Sequence, residues 1–272
     1  MATEIEKAVV LAAGAGRRMR REDTGASLSS EQTYAAATGV KALIPVGRPF
    51  LDYLLFHLAE SGITRVCLVT GPDHDALQSH CVDLAPRRLA IEFAVQSRPQ
   101  GTADAVGCAA DFVGDDGFLA INSDNLYPID DLARLRTAGG PATTGFNVET
   151  VLPKHRHSME RVAAMAIMSC DQHGYLSRII EKPPVEAFSS AAGPVYVSMN
   201  CWRFSPQIFT ACQRITPSSR GEYELPDAVR FSIEQLGEQY RLIPSSEEVL
   251  DLSDRGDIEP VAERLRGVEV RL

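Results

Sequence analysis

Residues 11–19 read LAAGAGRRM and follow directly on the apolar run Ala8-Val9-Val10. A buried strand that runs into Gly14-Ala15-Gly16 is how a dinucleotide-binding turn begins, because small residues let backbone N–H groups approach a phosphate. Such a turn needs a third glycine, but position 19 is Met. Arginines crowd the same place, at Arg17, Arg18, Arg20 and Arg21. The stretch therefore predicts a phosphate loop for a ligand with more negative charge than one pyrophosphate bridge.

Composition excludes several classes of protein. The 272 residues carry a formal net charge of −9, which argues against nonspecific nucleic-acid binding because that binding needs broad positive patches. The six cysteines form no C-x-x-C pair, so buried reduced thiols are favoured over a disulfide framework or a zinc site. No apolar run approaches the ~18 residues that span a bilayer, and the start lacks the features of a signal peptide. We therefore expect a cytoplasmic protein without a membrane partner.

Strands and helices alternate along the first 140 residues. Strands are predicted at Lys7–Leu11, Arg65–Thr70, Ile91–Val95 and Phe118–Ile121, and helices at Phe50–Glu60 and Thr102–Ala110. This order predicts an α/β fold whose mostly parallel sheet has helices on both faces. Ligands of such sheets bind beyond the C-terminal strand ends. Gly14 and Gly16 follow one such end and Asp124 another, so we expect them to face one crevice.

The alternation becomes less regular after about residue 140. Shorter strands are predicted at Ala163–Cys170, Leu176–Glu181 and Val195–Phe204, either as antiparallel additions to the same sheet or as a small second lobe. We expect a single domain over residues 1–272, with halves at about 1–140 and 141–258. The polar stretch Asp23–Thr38 is predicted to be a mobile loop or a short helix at the mouth of the cleft.

Seven segments occur in the order seen in one enzyme family. They are LAAGAGRRM, KALIPVGRPFLDY (41–53), QSRPQGTADAV (96–106), NSDN (122–125), IIEKP (179–183), GEYELPDAV (221–229) and VLDLSDRGDI (249–258). From residue 7 to about 258 the chain resembles the sugar-1-phosphate nucleotidylyltransferases, Rossmann-like enzymes that make nucleotide sugars. The resemblance implies a Rossmann-like mixed sheet with a small antiparallel sugar-binding region. It also implies that a sugar phosphate attacks the α-phosphorus of a nucleoside triphosphate and releases pyrophosphate, with Mg²⁺ as cofactor.

The resemblance assigns the nucleotide to a set of seven residues. They are Leu11, Ala13, Gly14, Gly16, Gln96, Gly101 and Thr102. Gln96 and Gly101 match the family's glutamine and glycine that meet the base, while Thr102 is predicted to be the N-cap of the following helix. Two basic residues take catalytic roles by the same match. Arg18 would stabilise the leaving pyrophosphate, and Lys41 would contact phosphate oxygens.

Two carboxylates are expected to hold Mg²⁺, which prefers oxygen ligands. Asp124 follows the apolar strand FLAIN, and Asp251 matches the aspartate of the family's tryptophan-x-aspartate segment. Val249 replaces that tryptophan, and Asp254 competes with Asp251 for the role.

The sugar side of the site rests on Glu181, Lys182 and Asn200. In the family the glutamate accepts hydrogen bonds from sugar hydroxyls, and the lysine, a third catalytic residue, holds the attacking phosphate. Ala166 stands where the family usually has glycine, and Asn200-Cys201-Trp202 replaces glycine-x-tyrosine. The acceptor could therefore be glucose 1-phosphate, a modified sugar phosphate or a cyclitol phosphate. The sequence also leaves open whether the nucleotide is UTP, dTTP, GTP or ATP.

Two functions from other classes remain as alternatives. A nicotinamide-dependent oxidoreductase needs an acidic residue at the end of the second strand, which instead ends Val69-Thr70-Gly71. A noncatalytic nucleotide-sugar sensor would not require both metal carboxylates. The oligomeric state is open, a homo-oligomer included.

Overall fold

The computed structural model describes residues 4–21, 23, 25–73, 75–148, 165–181 and 195–272. In these ranges the strands are β1 (Lys7–Ala12), β2 (Arg65–Thr70), β3 (Ala90–Val95), β4 (Phe118–Asn122), β5 (Asn125–Leu126), β6 (Ala142–Asn147), β7 (Ala166–Cys170), β8 (Leu176–Ile180), β9 (Tyr196–Ser198), β10 (Trp202–Phe204), β11 (Arg241–Ser245) and β12 (Leu250–Asp251). The α-helices are α1 (Arg17–Arg20), α2 (Ser30–Thr38), α3 (Phe50–Glu60), α4 (Asp75–Leu84), α5 (Thr102–Gly107), α6 (Ala110–Val113), α7 (Ile129–Arg136), α8 (Gln207–Arg214), α9 (Leu225–Leu236) and α10 (Ile258–Arg264). Short 3-10 helices lie at Lys41–Leu43 and Arg255–Asp257.

Ten of the described strands form one mixed sheet in the order β3-β2-β1-β4-β10-β6-β9-β7-β8, with β11 paired in parallel to β6. Strands β3, β2, β1 and β4 are parallel, and β10 enters antiparallel between β4 and β6. Strands β9, β7 and β8 complete the antiparallel end. The predicted α/β class is confirmed, and the later strands are additions to the same sheet.

Strand β1 is the centre of the parallel region, because it pairs with both β2 and β4. Ala8 and Val10 belong to one hydrophobic cluster, with side chains of α3 and α7, whereas Val9 belongs to a second cluster with side chains of α5, α8 and α9. Successive residues of a strand point to opposite faces. Helices therefore cover both faces of the sheet, and the apolar run of β1 is buried between them.

Two predicted elements are divided in the structure, and a third is described only in part. The helix expected at Thr102–Ala110 is divided into α5 and α6, because Ala109 leaves the helical conformation at φ −92° and ψ 7°. The strand expected at Val195–Phe204 is divided into β9 and β10, because Asn200 adopts a left-handed φ of 53°. The first two residues of the Ala163–Cys170 prediction lie outside the described residues.

Helix α2 occupies the polar stretch that was expected to be a loop or a short helix. The Ser29 side chain accepts a hydrogen bond from Gln32 N, and the Gln32 side chain accepts one from Ser29 N, which forms a capping box. The helix ends at Gly39, whose φ of 76° suits glycine. The short-helix alternative is therefore right for Ser30–Thr38. None of the helices described has the length and hydropathy of a membrane-spanning segment.

Candidate active site

The phosphate loop connects β1 to α1 and contains two glycines with different functions. Gly16 has a φ of 60°, and a Cβ added there would lie 2.1 Å from Gly39 O. Only glycine fits this backbone crossing. A Cβ added at Gly14 would meet no atom within 4 Å, so the space above it is open to a ligand. Met19, which stands where a dinucleotide turn has glycine, is fully buried and anchors α1 in the core.

The four arginines after the loop separate into different environments. Arg17 and Arg18 line a cavity of about 450 Å³ beside the loop. Arg20 instead donates from Nε and Nη2 to Thr38 O, at 3.2 and 2.7 Å, and so holds the end of α2. Arg21 is exposed. Of the four arginines, the first two are therefore the ones available to a ligand in this cavity.

This cavity, here called the nucleotide cavity, gathers most of the predicted residues. Its walls include Leu11, Ala13, Gly14, Gly16, Arg18, Lys41, Gln96, Gly101, Thr102, Asp124 and Asn200. These residues come from the ends of β1, β3 and β4, from α1, from the first 3-10 helix, from the start of α5 and from the turn between β9 and β10. The expectation that the phosphate loop and Asp124 face one crevice is confirmed.

A second cavity of about 220 Å³, here called the acceptor cavity, shares Arg18, Asn122, Asp124 and Asn200 with the first. Its further lining includes Ala166, Glu181 and Asp251. Lys182, which was predicted to hold the attacking phosphate, lies outside the described residues. The two cavities are thus contiguous, and Asp124 lies at their junction.

Asp124 is paired with a cation. Lys41 Nζ lies 2.7 Å from Asp124 Oδ2, and the two side chains are 14% and 24% exposed. Lys41 is positioned by the short 3-10 helix that it begins, and Asp124 by the turn between β4 and β5. This pair places one positive and one negative group on the wall of the nucleotide cavity.

Asp251 is held close to Asp124 by backbone pairing. Strand β12 pairs with β5 so that Asp251 lies opposite Asn125, and Leu252 N donates to Asp124 O at 2.8 Å. Asn125 Nδ2 donates to Asp251 Oδ1 at 3.2 Å, and Ser253 Oγ lies 2.8 Å from the same oxygen. These bonds fix a buried carboxylate toward the acceptor cavity.

The competing carboxylate, Asp254, is engaged in a cap. Its Oδ1 accepts a hydrogen bond from Gly256 N at 3.0 Å, within a capping box shared with Asp257. It lines neither cavity, so the structure favours Asp251 over Asp254. Among the described residues no group of three or more His, Cys, Asp or Glu side chains could hold a metal ion. The two predicted carboxylates, Asp124 and Asp251, both line the acceptor cavity, and such a pair could hold Mg²⁺, which usually takes one or two carboxylates together with substrate phosphates.

Glu181 follows β8 and lies between the acceptor cavity and a third cavity of about 660 Å³. Burial and the nearby Glu224 raise the pKa of Glu181 to about 7 against the opposing effect of Arg220. Arg220 Nη2 lies 3.9 Å from Glu181 Oε1 and makes a closer ion pair with Glu224. Glu181 therefore changes its charge near neutral pH.

Sequence reasoning missed two residues that connect the walls of the site, namely Asn122, which lines both cavities, and Tyr127. Asn200 Nδ2 donates to Asn122 Oδ1 at 3.3 Å, across the junction. The fully buried Tyr127 donates from its hydroxyl to Met199 O at 2.6 Å and accepts from Asn122 N at 3.2 Å. Tyr127 thereby connects the end of β4 to the β9–β10 turn. Both missed residues stand within five positions of each other in INSDNLY, but their partners are distant in sequence.

The predicted cap at Thr102 is wrong. The N-cap of α5 is Gly101, and Thr102 is the first helical residue. A Cβ at Gly101 would lie 2.4 Å from Tyr223 O, so the close backbone approach fixes glycine at the cap position. Thr102 Oγ1 instead accepts a hydrogen bond from Leu225 N at 2.9 Å, which is the first N–H of α9.

Gln96 is buried at the end of β3, at 4% exposure. Its Nε2 donates to Gly101 O at 3.0 Å and to Asp104 Oδ2 at 2.6 Å. Asp104, on α5, was not identified from the sequence as part of the site.

A family model described as nucleotidyl transferase matches residues 7–252. The chain belongs to the nucleotidyl transferase family. The resemblance to the sugar-1-phosphate nucleotidylyltransferases is thereby confirmed. Among relatives, the low-salt glycan biosynthesis nucleotidyltransferase of Haloferax volcanii is 32% identical over 232 residues, which are 84% of this chain and 57% of that protein. A glucose-1-phosphate thymidylyltransferase of Streptomyces griseus is 30% identical over 231 residues, again 84% of this chain and 57% of that protein.

Two other similar proteins are matched over more of their own length. The UTP–glucose-1-phosphate uridylyltransferase of Haloferax volcanii is 27% identical over 230 residues, 84% of this chain and 83% of that protein. A solved structure of UDP-glucose pyrophosphorylase complexed with UDP-glucose matches with a TM-score of 0.74 at 16% identity, over 96% of this chain and 98% of that chain. At that identity the likeness shows the fold. The family member described here thus has the Rossmann-like fold that the sequence predicted, although it spans little more than half of the first two relatives.

Proposed function

We propose that this nucleotidyl transferase family member joins a nucleoside triphosphate to a sugar 1-phosphate or a sugar-like cyclitol phosphate. The products would be a nucleotide sugar and pyrophosphate. The main support for this proposal is that the two cavities meet at Asp124, with the phosphate loop on one side and Glu181 on the other. One cavity suits the triphosphate and the other the acceptor.

Positioning and charge neutralisation supply most of the catalysis in phosphoryl transfer. Arg18 lines both cavities, which suits a group that stabilises pyrophosphate as it leaves. Lys41 would contact phosphate oxygens from its place beside Asp124. Asp124 and Asp251 would hold Mg²⁺, which neutralises phosphate charge when bound. Magnesium dependence and a cytoplasmic location, both expected from the sequence, are parts of this proposal.

The acceptor side supports a ring with several hydroxyl groups. Glu181 and Asn200 present polar atoms to the acceptor cavity, and Lys182 is assigned the attacking phosphate by its place in the family's motif alone. Ala166 lines this cavity where the family usually has glycine. Its added methyl group and the Asn200 amide favour an acceptor other than unmodified glucose 1-phosphate. The relatives named as glucose-1-phosphate thymidylyltransferase and uridylyltransferase support sugar 1-phosphates as the substrate class.

Pyrophosphate release tests the proposal. UTP, dTTP, GTP and ATP are each combined with glucose 1-phosphate, N-acetylglucosamine 1-phosphate, mannose 1-phosphate and an inositol phosphate. At least one pair should release pyrophosphate with Mg²⁺ and none with EDTA. Asp124→Asn should abolish release with the fold intact, because the amide keeps the shape and loses the charge, whereas Asp115→Asn at an exposed position should be unchanged. Binding of a nucleotide sugar without release from any pair would favour a sensor.

A further inference from the structure

The nucleotide cavity extends from the end of β3 to the end of β4, with Gln96 and Asp124 on its walls. Gln96 follows β3 and Asp124 follows β4, with β2 and β1 between them in the sheet. Neighbouring strands lie about 4.8 Å apart, so these two strand ends are separated by about 14 Å. The phosphate loop after β1 lies in between. A nucleotide with its phosphates on that loop and toward Asp124 extends its base toward Gln96.

The orientation of the Gln96 amide follows from its neighbours. Gly101 O and Asp104 Oδ2 both lie within hydrogen-bond distance of the same atom of that amide, at 3.0 and 2.6 Å. A carbonyl and an ionised carboxylate are acceptors only, so this atom is the NH₂ nitrogen. The opposite orientation would put the amide oxygen against two acceptors.

Both amide protons of Gln96 are therefore used inside the protein. The remaining polar atom, Oε1, makes no hydrogen bond within the described residues and is accessible from the nucleotide cavity that Gln96 lines. Gln96 accordingly offers an acceptor, and no donor, to a base. Asp104 is essential to this polarity, since its charged oxygen makes the shorter of the two bonds.

Building on the proposed function, we propose that Asp104 is a positioning residue that sets base selectivity by fixing the amide of Gln96. A fixed acceptor suits the ring N–H of uracil, thymine or guanine. The ring nitrogen of cytosine or adenine at the corresponding edge is itself an acceptor and is repelled. The site thereby discriminates between bases that differ in little besides the polarity of this edge.

UTP and CTP form the matched pair of ligands, because their rings have the same size and opposite polarity at this edge. Wild-type protein should show a higher kcat/KM with UTP than with CTP, or with GTP than with ATP if it takes purines. Asp104→Ala should lower the ratio by about tenfold or more, because one charged bond that opposes rotation of the amide is lost. Asp104→Leu, of similar shape and without an acceptor, should do the same. If Asp104 had a merely structural role, its replacement would lower kcat/KM equally with both triphosphates and leave their ratio unchanged.

Two control variants accompany these. Asp104→Asn keeps a side-chain acceptor oxygen that can face Gln96 Nε2, so both acceptors that orient the amide remain and the wild-type ratio should be retained within about threefold. Asp111→Ala, at an exposed position in the first turn of the adjacent helix α6, should have no effect on the ratio. Thermal melting checks that each variant is folded.

Calorimetric titration of UTP and CTP, without acceptor, separates this inference from the proposed function. Selective UTP binding that is lost in Asp104→Ala, in a protein that turns over no substrate pair, would support the amide assignment and refute the proposed function. Turnover with an unchanged UTP-to-CTP ratio in Asp104→Ala and Asp104→Leu would overturn the role of Asp104 alone. A wild-type preference for CTP over UTP and for ATP over GTP would also overturn it.

Discussion

The guanidinium of Arg18 lies on the walls of both cavities. We predict that Arg18→Lys lowers kcat by about tenfold or more and raises the triphosphate KM less. The lysine keeps a point charge but not the planar fork, and the charge on the leaving pyrophosphate grows as the bond to it breaks. Steady-state kinetics with saturating acceptor measure both constants, and Arg21→Lys, at an exposed position, is the control. A raised KM with unchanged kcat would move the leaving-group role to Lys41 or Arg17.

Glu181 titrates near neutral pH because burial raises its pKa to about 7. An ionised carboxylate is the better acceptor for sugar hydroxyls, so the acceptor KM should rise as pH falls below about 7. Arg220→Met should shift this rise to higher pH, since the arginine lowers the pKa of Glu181. KM measured from pH 5.5 to 8.5 tests this, at roughly half-unit steps around the pKa.

Two controls isolate the contribution of Glu181 to that profile. Glu181→Gln retains the titration of the substrate phosphate, whose second pKa is about 6, and removes that of the carboxyl group. Arg214→Met, at an exposed position on α8, should leave the profile unchanged. Identical profiles for wild type and Glu181→Gln would contradict the assignment of Glu181 to the acceptor.

Individual site residues were predictable where a strand end and a local motif coincide, as at Gly14 and Asp124. Lys41, which begins a 3-10 helix, was predictable from the order of the family's motifs, and the structure brings all three residues to one cavity. Asp104 was not predictable, because an aspartate in the first turn of a helix is ordinary by itself. Its importance arises from a contact with Gln96 that depends on how β3 and α5 meet.

Helix α9 begins with help from another element. Thr102 on α5 accepts the hydrogen bond of Leu225 N, and Leu225 is fully buried. Thr102→Val keeps the shape of the side chain and leaves this N–H without its partner, so we expect a loss of about 1 kcal/mol in the free energy of unfolding. Thr102→Ser keeps the hydroxyl and should lose less. Urea denaturation of wild type, Thr102→Val and Thr102→Ser measures these free energies of unfolding. Equal stability of Thr102→Val and wild type would contradict the capping function.

Elements with strong apolar patterns were predicted with their observed limits, as α3 and β2 show. The element boundaries that were predicted wrongly depend on backbone conformations for which the local sequence gives no strong signal. The break between β9 and β10 is a left-handed residue at Asn200, and the α5–α6 break lies at Ala109, a residue that favours helices. The separate β5–β12 pairing, which positions Asp251, joins segments far apart in sequence, and periodicity carries no information about such pairs.

At the scale of the whole molecule, one sheet connects the strands of both halves of the chain. The rule that ligands bind beyond the C-terminal strand ends predicted where the phosphate loop and Asp124 meet. It did not predict the antiparallel strands that add Asn200 and Glu181 to the opposite wall. Those positions depend on the insertion of β10 between β4 and β6, a topology that the order of elements along the chain leaves open. The single domain over residues 1–272 stays a prediction.

Tyr127 connects the two walls of the site through its hydroxyl, which bonds to Met199 O and Asn122 N. We predict that Tyr127→Phe lowers the free energy of unfolding by about 1–2 kcal/mol, because a buried carbonyl and a backbone N–H each lose a partner. It should also raise the acceptor KM severalfold more than the triphosphate KM, since the β9–β10 turn that it holds carries Asn200 into the junction. Urea denaturation and steady-state kinetics measure the two effects.

Tyr53→Phe is the matched control for this variant. Tyr53 is also buried, but its hydroxyl makes a long bond of 3.5 Å to Val46 O, and it is not among the residues that line the acceptor cavity. A comparable or smaller change in stability with both KM values unchanged is therefore expected. Equal shifts of acceptor and triphosphate KM in Tyr127→Phe would mean that the hydroxyl stabilises the whole sheet rather than the junction. Loss of stability with no change in either KM would show that Asn200 keeps its place without this bond.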